Sequence, residues 1–114
     1  IEVTIDEQDI LNVTINESLA VALLTNLLKN AFVHNIDGGH IRITVTKNSI
    51  TFRNSGVKNP LDKEHIFERF YQGTKKEGST GLGLAIADSI CRLQHLSIRY
   101  YFEQKEHCFE ISRQ

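Results

Sequence analysis

The chain has 114 residues, which is enough for one hydrophobic core but too short for two. Thirteen basic and fourteen acidic side chains leave a net charge of −1, so no overall field favours a nucleic-acid or membrane-surface partner. Two cysteines without a partner motif argue against a zinc site and favour a reducing compartment. No apolar run is long enough to span a bilayer. We predict one domain over residues 1–114, and we expect a fragment of a longer protein because there is no initiator methionine.

The first third of the chain predicts two strands and a long helix. Apolar and polar residues alternate over residues 1–5, which is the period of a half-buried strand, and residues 10–15 form a second strand candidate. Asn16 stands at the N-cap position of a helix predicted over residues 17–34. Residues 35–39, reading NIDGG, should end this helix, since Asp-Gly and Gly-Gly are strong breakers.

The middle of the chain predicts a hairpin and a short helix. Residues 41–45 alternate as a strand, and a tight turn leads into a partner strand at residues 50–52. Residues 57–62 contain the only proline and are predicted to be a loop. Apolar residues then recur at helical spacing over residues 63–71, which predicts a short helix.

The last third predicts a loop, a helix and a closing hairpin. Residues 72–80, reading QGTKKEGST, have no apolar residue and the composition of a mobile loop. A helix should open at Gly81, followed by a hairpin of residues 98–102 and 108–111. This order of elements predicts an α+β fold, a two-layer α/β sandwich with helices on one face of a mixed, mostly antiparallel sheet.

The long helix carries a row of polar side chains beside its apolar stripe. Asn26 and Asn30 are four residues apart and therefore one turn apart on the same side, and His34 extends the row by another turn. Asparagine is a mediocre residue for a helix interior, because its side chain competes for backbone hydrogen bonds. Amide oxygens can complete the shell of a hard cation such as Mg²⁺. The row is either a set of cation ligands or a set of ordinary, partly exposed polar residues. The stripe itself consists of Leu23, Leu24, Leu27, Leu28, Ala31 and Phe32.

A glycine-rich turn, GSTGLGLAI, occupies residues 78–86. Glycines let a backbone approach a ligand closely, and a helix start leaves unpaired N–H groups with partial positive charge. The turn is therefore either a phosphate site or a helix start that needs glycine only for close packing. It is not a P-loop, because no Lys-Ser/Thr pair follows the last glycine, and it follows a loop, unlike a dinucleotide fingerprint.

Four motifs in this order resemble the catalytic ATP-binding domain of sensor histidine kinases, within the wider family shared with gyrase, Hsp90 and MutL. NLLKNA resembles the N box, NSG the G1 box, IFERFYQG the F box and GSTGLGLAI the G2 box, and the resemblance covers essentially the whole chain. It implies a Bergerat-type fold with ATP and Mg²⁺ as cofactors and a flexible lid over the nucleotide.

The resemblance also implies a role for each box, and the F box, with Phe67 and Phe70, would anchor the lid. Asn26 and Asn30 would hold Mg²⁺ against the triphosphate, with His34 as a partial substitute for a basic residue that the family often has nearby. Asn54 would accept a hydrogen bond from the adenine amino group, and Gly56 would let the backbone approach the base. The remaining ATP-binding candidates lie in and after the lid: Lys75, Lys76, Thr80, Gly81, Leu82 and Gly83.

The G1 box departs from the family pattern. It usually reads Asp-x-Gly-x-Gly, whereas Asn54 is neutral here and no second glycine follows Gly56. A neutral acceptor is weaker than a charged one, so adenine affinity depends on how the pocket accommodates an amide. Lys75 and Lys76 are either β/γ-phosphate contacts or a solvated charge pair of the loop.

The implied function is transfer of the ATP γ-phosphate to a histidine in two-component signalling. None of the five histidines lies in the helix-start setting that the family uses, so no catalytic residue is assigned within this chain. The expected partners are an acceptor-histidine helix domain of the same parent protein, through which the parent would dimerise, and a downstream response regulator. We expect a cytoplasmic domain, in a parent with or without an inner-membrane anchor. Two alternatives are a nucleotide-binding module with degraded catalysis and a serine kinase of the same superfamily.

Overall fold

The computed structural model describes residues 1–71 and 81–114. Within those residues, five strands form one sheet and two helices accompany it. The elements in chain order are β1 (Glu2–Glu7), α1 (Glu17–Val33), β2 (His40–Val45), β3 (Ser49–Asn54), α2 (Gly83–Leu93), β4 (Leu96–Glu103) and β5 (Glu106–Arg113). The sheet order is β1-β2-β3-β5-β4, in which β1 and β2 are parallel and the other pairs are antiparallel. The predicted α+β fold with a mixed, mostly antiparallel sheet is confirmed.

The hydrophobic core lies between the helices and one face of the sheet. On the other face Arg99 pairs with Glu110 at 2.7 Å, so the helices cover only one side of the sheet. Leu24 and Phe32 of the predicted stripe on α1 remain 42% and 43% exposed, because only one side of α1 meets the core. The buried residues of this core include Leu23, Leu27, Phe52, Ile66, Ile90, Cys91, Leu96, Tyr100, Phe109 and Ile111.

The ends of α1 follow from the residues that cap it. Asn16 Oδ1 accepts a hydrogen bond from the Leu19 N–H at 3.1 Å, which satisfies one of the donors that a helix start leaves unpaired. At the other end, the His34 N–H donates to the Asn30 carbonyl at 3.1 Å, and the NIDGG segment follows. The predicted N-cap and the predicted end of the helix are confirmed.

Residues 10–15, which were predicted as a second strand, form no strand. The Gln8 N–H still donates to the Val45 carbonyl at 2.9 Å, and the chain then leaves the sheet. Leu11 and Ile15 border an apolar pocket against α1 instead. The prediction was wrong because an alternating pattern indicates only which side chains can face a core: Leu11 and Ile15 become partly buried without backbone pairing, and Val13 remains 39% exposed.

The predicted short helix over residues 63–71 is also absent. The segment is a succession of turns, such as that closed by the Glu68 N–H on the His65 carbonyl at 2.9 Å. Phe70 has φ of 63°, a left-handed conformation that ends any right-handed helix. Ile66 is nevertheless only 1% exposed, whereas Phe70 of the same apolar set is 67% exposed, so the spacing predicted neither the helix nor the burial of every member.

Smaller differences concern the edges of elements. The strand β1 forms as predicted, but it is exposed on both faces and not half-buried, with Val3 44% and Ile5 67% exposed. The helix α2 begins at Gly83 and not at Gly81, because Gly81 has φ of 74°. No helix of the described ranges is both long enough and apolar enough to cross a membrane.

Candidate functional site

A pocket lies where α1, the start of α2 and the carboxyl end of β3 meet the sheet. It encloses a cavity of about 40 Å³, and its described lining has no acidic side chain and no lysine or arginine. Three of the predicted site residues, Asn30, His34 and Asn54, lie in this lining. The full set is Asn30, His34, Asn54, Val57, Leu61, Ile66, Tyr71, Leu84, His107 and Phe109.

Asn54 is the last residue of β3 and is only 2% exposed. Its Nδ2 donates to the Ser55 carbonyl at 2.7 Å, but its Oδ1 has no hydrogen-bond partner among the described residues. A buried acceptor without a partner costs about 1–3 kcal/mol. The pocket therefore contains an acceptor suited to an N–H donor of a ligand.

Ser55 and Asn35 fix the backbone beside Asn54. The Ser55 hydroxyl donates to Asn35 Oδ1 at 2.6 Å and accepts from the His40 N–H at 2.9 Å. Asn35 Nδ2 donates to the carbonyls of Ala31 and His40, at 3.2 and 3.0 Å. The end of α1 and the end of β3 are thus joined through a buried asparagine that the sequence analysis treated only as part of a helix stop.

Gly56 follows in a space that admits no side chain. A Cβ at this position would lie 2.9 Å from the His34 carbonyl oxygen and 3.2 Å from Cδ2 of the His107 ring. The backbone therefore passes between α1 and β5 at the wall of the pocket, which only glycine permits without a shift of its neighbours.

His107 and Tyr100 form a hydrogen-bonded pair that the sequence analysis did not find. Tyr100 Oη lies 2.7 Å from His107 Nδ1, and the two rings stack with centroids 6.0 Å apart. His107 Nε2 lies 2.7 Å from the Val57 carbonyl, and the Leu61 N–H donates to Tyr100 Oη at 2.9 Å. Burial raises the pKa of the Tyr100 hydroxyl, which therefore keeps its proton. The alternation of the strand could have indicated that His107 is buried, because it shares its face of β5 with the apolar residues Phe109 and Ile111.

Asn26 and Gly83 lie against each other where α1 meets α2. Asn26 Nδ2 donates to the Ala22 carbonyl at 2.8 Å, and a Cβ on Gly83 would lie 3.2 Å from Asn26 Oδ1. The amide oxygen of Asn26 therefore faces the first turn of α2. Asn30 lines the pocket one turn further along α1, and no side-chain hydrogen bond holds it within the described part of the chain.

The first turn of α2 begins with N–H groups that the helix itself does not pair. Leu82 occupies the N-cap position without a side-chain hydrogen bond, and its carbonyl accepts from the Ile86 N–H at 2.9 Å. The N–H groups of residues 83–85 consequently have no partner within the helix, and the first turn contains no acidic side chain. Such a helix start favours an anion.

Gly81 and Phe70 stand on either side of the segment that the structure does not describe, and they contact each other. The Phe70 N–H donates to the Gly81 carbonyl at 2.7 Å, and a Cβ on Gly81 would lie 2.8 Å from the Phe70 Cα. The predicted site residues Lys75, Lys76 and Thr80 lie outside the described residues.

A sequence profile of the histidine kinase-, DNA gyrase B- and HSP90-like ATPases matches residues 15–112, a range that includes every residue lining the pocket. The chain therefore belongs to this ATPase family. The four motifs on which the resemblance rested all lie inside the matched range.

Among curated proteins, the similar ones include two named sensors. The sensor histidine kinase RppB of Synechocystis is 43% identical over 84 residues, which cover 66% of this chain and 18% of RppB. The heme sensor protein HssS of Staphylococcus aureus is 39% identical over 90 residues, which cover 75% of this chain and 20% of HssS. The chain thus spans about a fifth of the length of these relatives.

Solved structures agree with the sequence comparison. The nucleotide-free catalytic domain of histidine kinase ThkA matches with a TM-score of 0.81 and 26% identity, over 96% of this chain and 76% of that chain. The mycobacterial sensor histidine kinase MprB matches with a TM-score of 0.83 over 98% and 84% of the two chains, and its 20% identity shows the fold alone. The predicted resemblance to the catalytic domains of sensor histidine kinases is confirmed.

Proposed function

We propose that this chain binds ATP in the pocket between α1, α2 and the sheet, with the adenine at Asn54. The observation that carries the proposal is the buried Oδ1 of Asn54, which lacks a partner in the described part of the chain. The exocyclic amino group of adenine supplies the N–H donor that this oxygen needs. ATP binding itself follows from membership of the ATPase family.

The triphosphate would extend from the base towards the first turn of α2. Gly83 and the two residues after it offer N–H groups there, and Gly81 and Leu82 lead the backbone into that turn. His34 lies beside the path, in the lining of the pocket. The helix start would bind the phosphates through backbone donors, which need no charged side chain in the described lining.

Asn26 and Asn30 would hold Mg²⁺. Their chemistry fits the ion, because amide oxygens are hard ligands and Asn26 Nδ2 is already engaged with the Ala22 carbonyl, which leaves Oδ1 for a ligand. When bound, Mg²⁺ would neutralise charge on the triphosphate. The two asparagines would orient the ion, and Gly83 leaves space next to Asn26 at the start of α2.

The wider proposal is that the parent protein transfers the γ-phosphate to a histidine outside this chain. Within the described residues, His40 pairs with Glu106, His65 with Asp62 and His107 with Tyr100. An acceptor-helix domain of the parent and a response regulator would complete the pathway, in the cytoplasm, where ATP is available. The names of RppB and ThkA, both histidine kinases, support this reaction class.

A calorimetric titration with ATP, with and without Mg²⁺, tests the binding proposal. We expect saturable binding of one nucleotide that weakens strongly without Mg²⁺, whereas no binding would reject the proposal. Mixing the chain with ATP and a separately produced acceptor-helix protein then tests phosphotransfer. The expected product is an acid-labile phosphohistidine on the acceptor protein.

A second candidate is a nucleotide-binding module without kinase activity. The observation that favours it is Asn54, which is neutral where the family usually has an acid. Binding of ATP with no phosphohistidine on any matched acceptor would support this candidate over the first.

A further inference from the structure

We propose that His107 is a positioning residue that fastens residues 57–61 to the sheet, and that this tether determines how well the pocket holds the adenine end of the nucleotide. The inference rests on the proposed function. Neither the base nor the phosphates need touch His107 for it to act, because its partners are protein groups: the Val57 carbonyl and the Tyr100 hydroxyl.

The direction of each hydrogen bond follows from the chemistry of the partners. A backbone carbonyl only accepts, so His107 Nε2 must carry the proton that it donates to Val57. In the neutral ring Nδ1 is then the acceptor, and the Tyr100 hydroxyl donates to it. The same hydroxyl oxygen accepts from the Leu61 N–H. The result is a continuous series of hydrogen bonds, a hydrogen-bond chain, from Leu61 through Tyr100 and His107 to Val57.

This hydrogen-bond chain holds both ends of a segment that has no helix or strand of its own. Val57 and Leu61 both line the pocket, and residues 57–61 lie in the chain between β3 and the turns that follow. One bond anchors Val57 and another anchors Leu61, and both converge on neighbouring side chains of β4 and β5. We expect loss of these bonds to loosen residues 57–61 at the wall of the pocket.

The tether is adjacent to the adenine acceptor. Asn54 pairs directly with His107 in the β3–β5 ladder, and Gly56 packs against the His107 ring. A change in the tether therefore acts on the base end of the pocket, whereas the first turn of α2, where phosphates are proposed to bind, belongs to another element. This separation predicts that the tether affects binding of the base and not of the phosphates.

Tyr100→Phe is the central test, because it removes one hydroxyl and retains the ring in the core. The matched control is Tyr101→Phe, which removes the same atom from the next residue, on the opposite face of β4. Calorimetry in the presence of Mg²⁺ would measure the affinity of each protein for two ligands: ATP, and inorganic triphosphate, which lacks the base. Hydrogen exchange of the Leu61 amide reports the tether without any ligand.

We expect Tyr100→Phe to weaken ATP binding by about three- to tenfold, the equivalent of one lost hydrogen bond, and to leave triphosphate binding unchanged. Exchange of the Leu61 amide should accelerate in Tyr100→Phe and remain unchanged in Tyr101→Phe. His107→Gln, which keeps a donor for the Val57 carbonyl, should retain more ATP affinity than His107→Leu, which has a similar size and no donor.

Unchanged ATP affinity in Tyr100→Phe would overturn the inference and leave the proposed function intact, provided that the unmodified chain binds ATP. An equal loss of affinity for ATP and for triphosphate would also overturn it, because Tyr100 and His107 would then only stabilise the fold. If the unmodified chain binds no ATP, the proposed function fails and this inference fails with it. Should His107→Leu not fold, the comparison of Tyr100→Phe with Tyr101→Phe decides alone.

Discussion

Asn54 and His107 stand directly opposite each other at the ends of β3 and β5, and they use their polar atoms in opposite ways. Both ring nitrogens of His107 form hydrogen bonds with protein groups, whereas the buried amide oxygen of Asn54 has no partner within the described part of the chain. The His107 ring is therefore held by protein groups on both sides, whereas the Asn54 oxygen can accept a hydrogen bond. If Asn54 binds the adenine as proposed, the acceptor lies beside a histidine whose position does not depend on the ligand.

Replacing Asn54 with aspartate should strengthen ATP binding. A carboxylate is a stronger acceptor than an amide, and we expect about a three- to tenfold gain in affinity. The free protein should melt at a lower temperature, because Asn54→Asp loses the Nδ2 bond to the Ser55 carbonyl and buries a charge. Calorimetry and a thermal melt measure the two effects. An unchanged affinity would mean that the pocket is adapted to a neutral acceptor.

Asn30→Ala should abolish Mg²⁺-dependent ATP binding and leave the fold intact. Its side chain makes no hydrogen bond within the described residues, so its removal costs little stability. The circular-dichroism melt of Asn30→Ala should match that of the unmodified chain, while calorimetry with Mg-ATP detects no binding. A collapsed melt would show that Asn30 is structural and is not a ligand.

Asn35→Ala provides the contrasting case on the same helix end. Asn35 is 5% exposed, and its side chain takes part in hydrogen bonds to Ala31, Ile36, His40 and Ser55. Loss of this buried network should lower the free energy of unfolding by about 1–3 kcal/mol or more. Urea denaturation measures the change, and a loss below about 0.5 kcal/mol would contradict a structural role.

The ion pair between Arg42 and Glu106 should make stability fall at acidic pH. The hydrogen bond from Arg42 lowers the pKa of the Glu106 carboxyl, against burial and with help from His40. A depressed carboxyl pKa contributes stability that is complete above the ordinary value of 4.5 and is lost as the pH falls through the folded-state value. Thermal melts between pH 7 and pH 3 should therefore show a steeper decline for the unmodified chain than for Glu106→Gln. If the melting temperatures of the two proteins declined in parallel with pH, the lowered pKa of Glu106 would not be the cause of the acid destabilisation.

Gly81→Ala should destabilise the junction between Phe70 and α2. The position has φ of 74°, and a Cβ there would lie 2.8 Å from the Phe70 Cα. Gly38 is a matched control, because it has φ of 72° and nothing within 4 Å of its Cβ position. We expect Gly38→Ala to lower the free energy of unfolding by about 1 kcal/mol because of the backbone conformation alone, and Gly81→Ala to lower it clearly more. Equal decreases measured by urea denaturation would mean that the backbone at Phe70 shifts at little cost to accommodate the new Cβ.

Sequence patterns predicted the elements whose formation depends on neighbouring residues. The Asn16 cap, the end of α1 at His34 and the hairpin of β2 and β3 are all local features, and each is confirmed. The predictions for residues 10–15 and 63–71 were wrong, because apolar spacing does not determine how the backbone is paired. Only part of each apolar set is even buried, since Ile66 is 1% exposed but Ile10 and Phe70 are 64% and 67% exposed.

Parts of the site escaped sequence analysis for a different reason. The hydrogen bonds of His107 reach residues 50 and 7 positions away, so only the folded sheet brings the partners together. The predicted closing hairpin left Glu106 between its two strands, at residues 98–102 and 108–111, yet β5 begins at Glu106 and the carboxyl is buried against Arg42. The motifs identified the family, and the tertiary contacts show how the protein supports the residues of those motifs.

Calorimetric titration of the unmodified chain and of Asn54→Leu with Mg-ATP tests the central claim most directly. Asn54→Leu removes the unpaired amide oxygen and keeps a side chain of similar size, so the fold should be retained. The account predicts saturable binding of one ATP to the unmodified chain and at least about tenfold weaker binding to Asn54→Leu. Equal affinities for the two proteins would contradict the assignment of the adenine to Asn54.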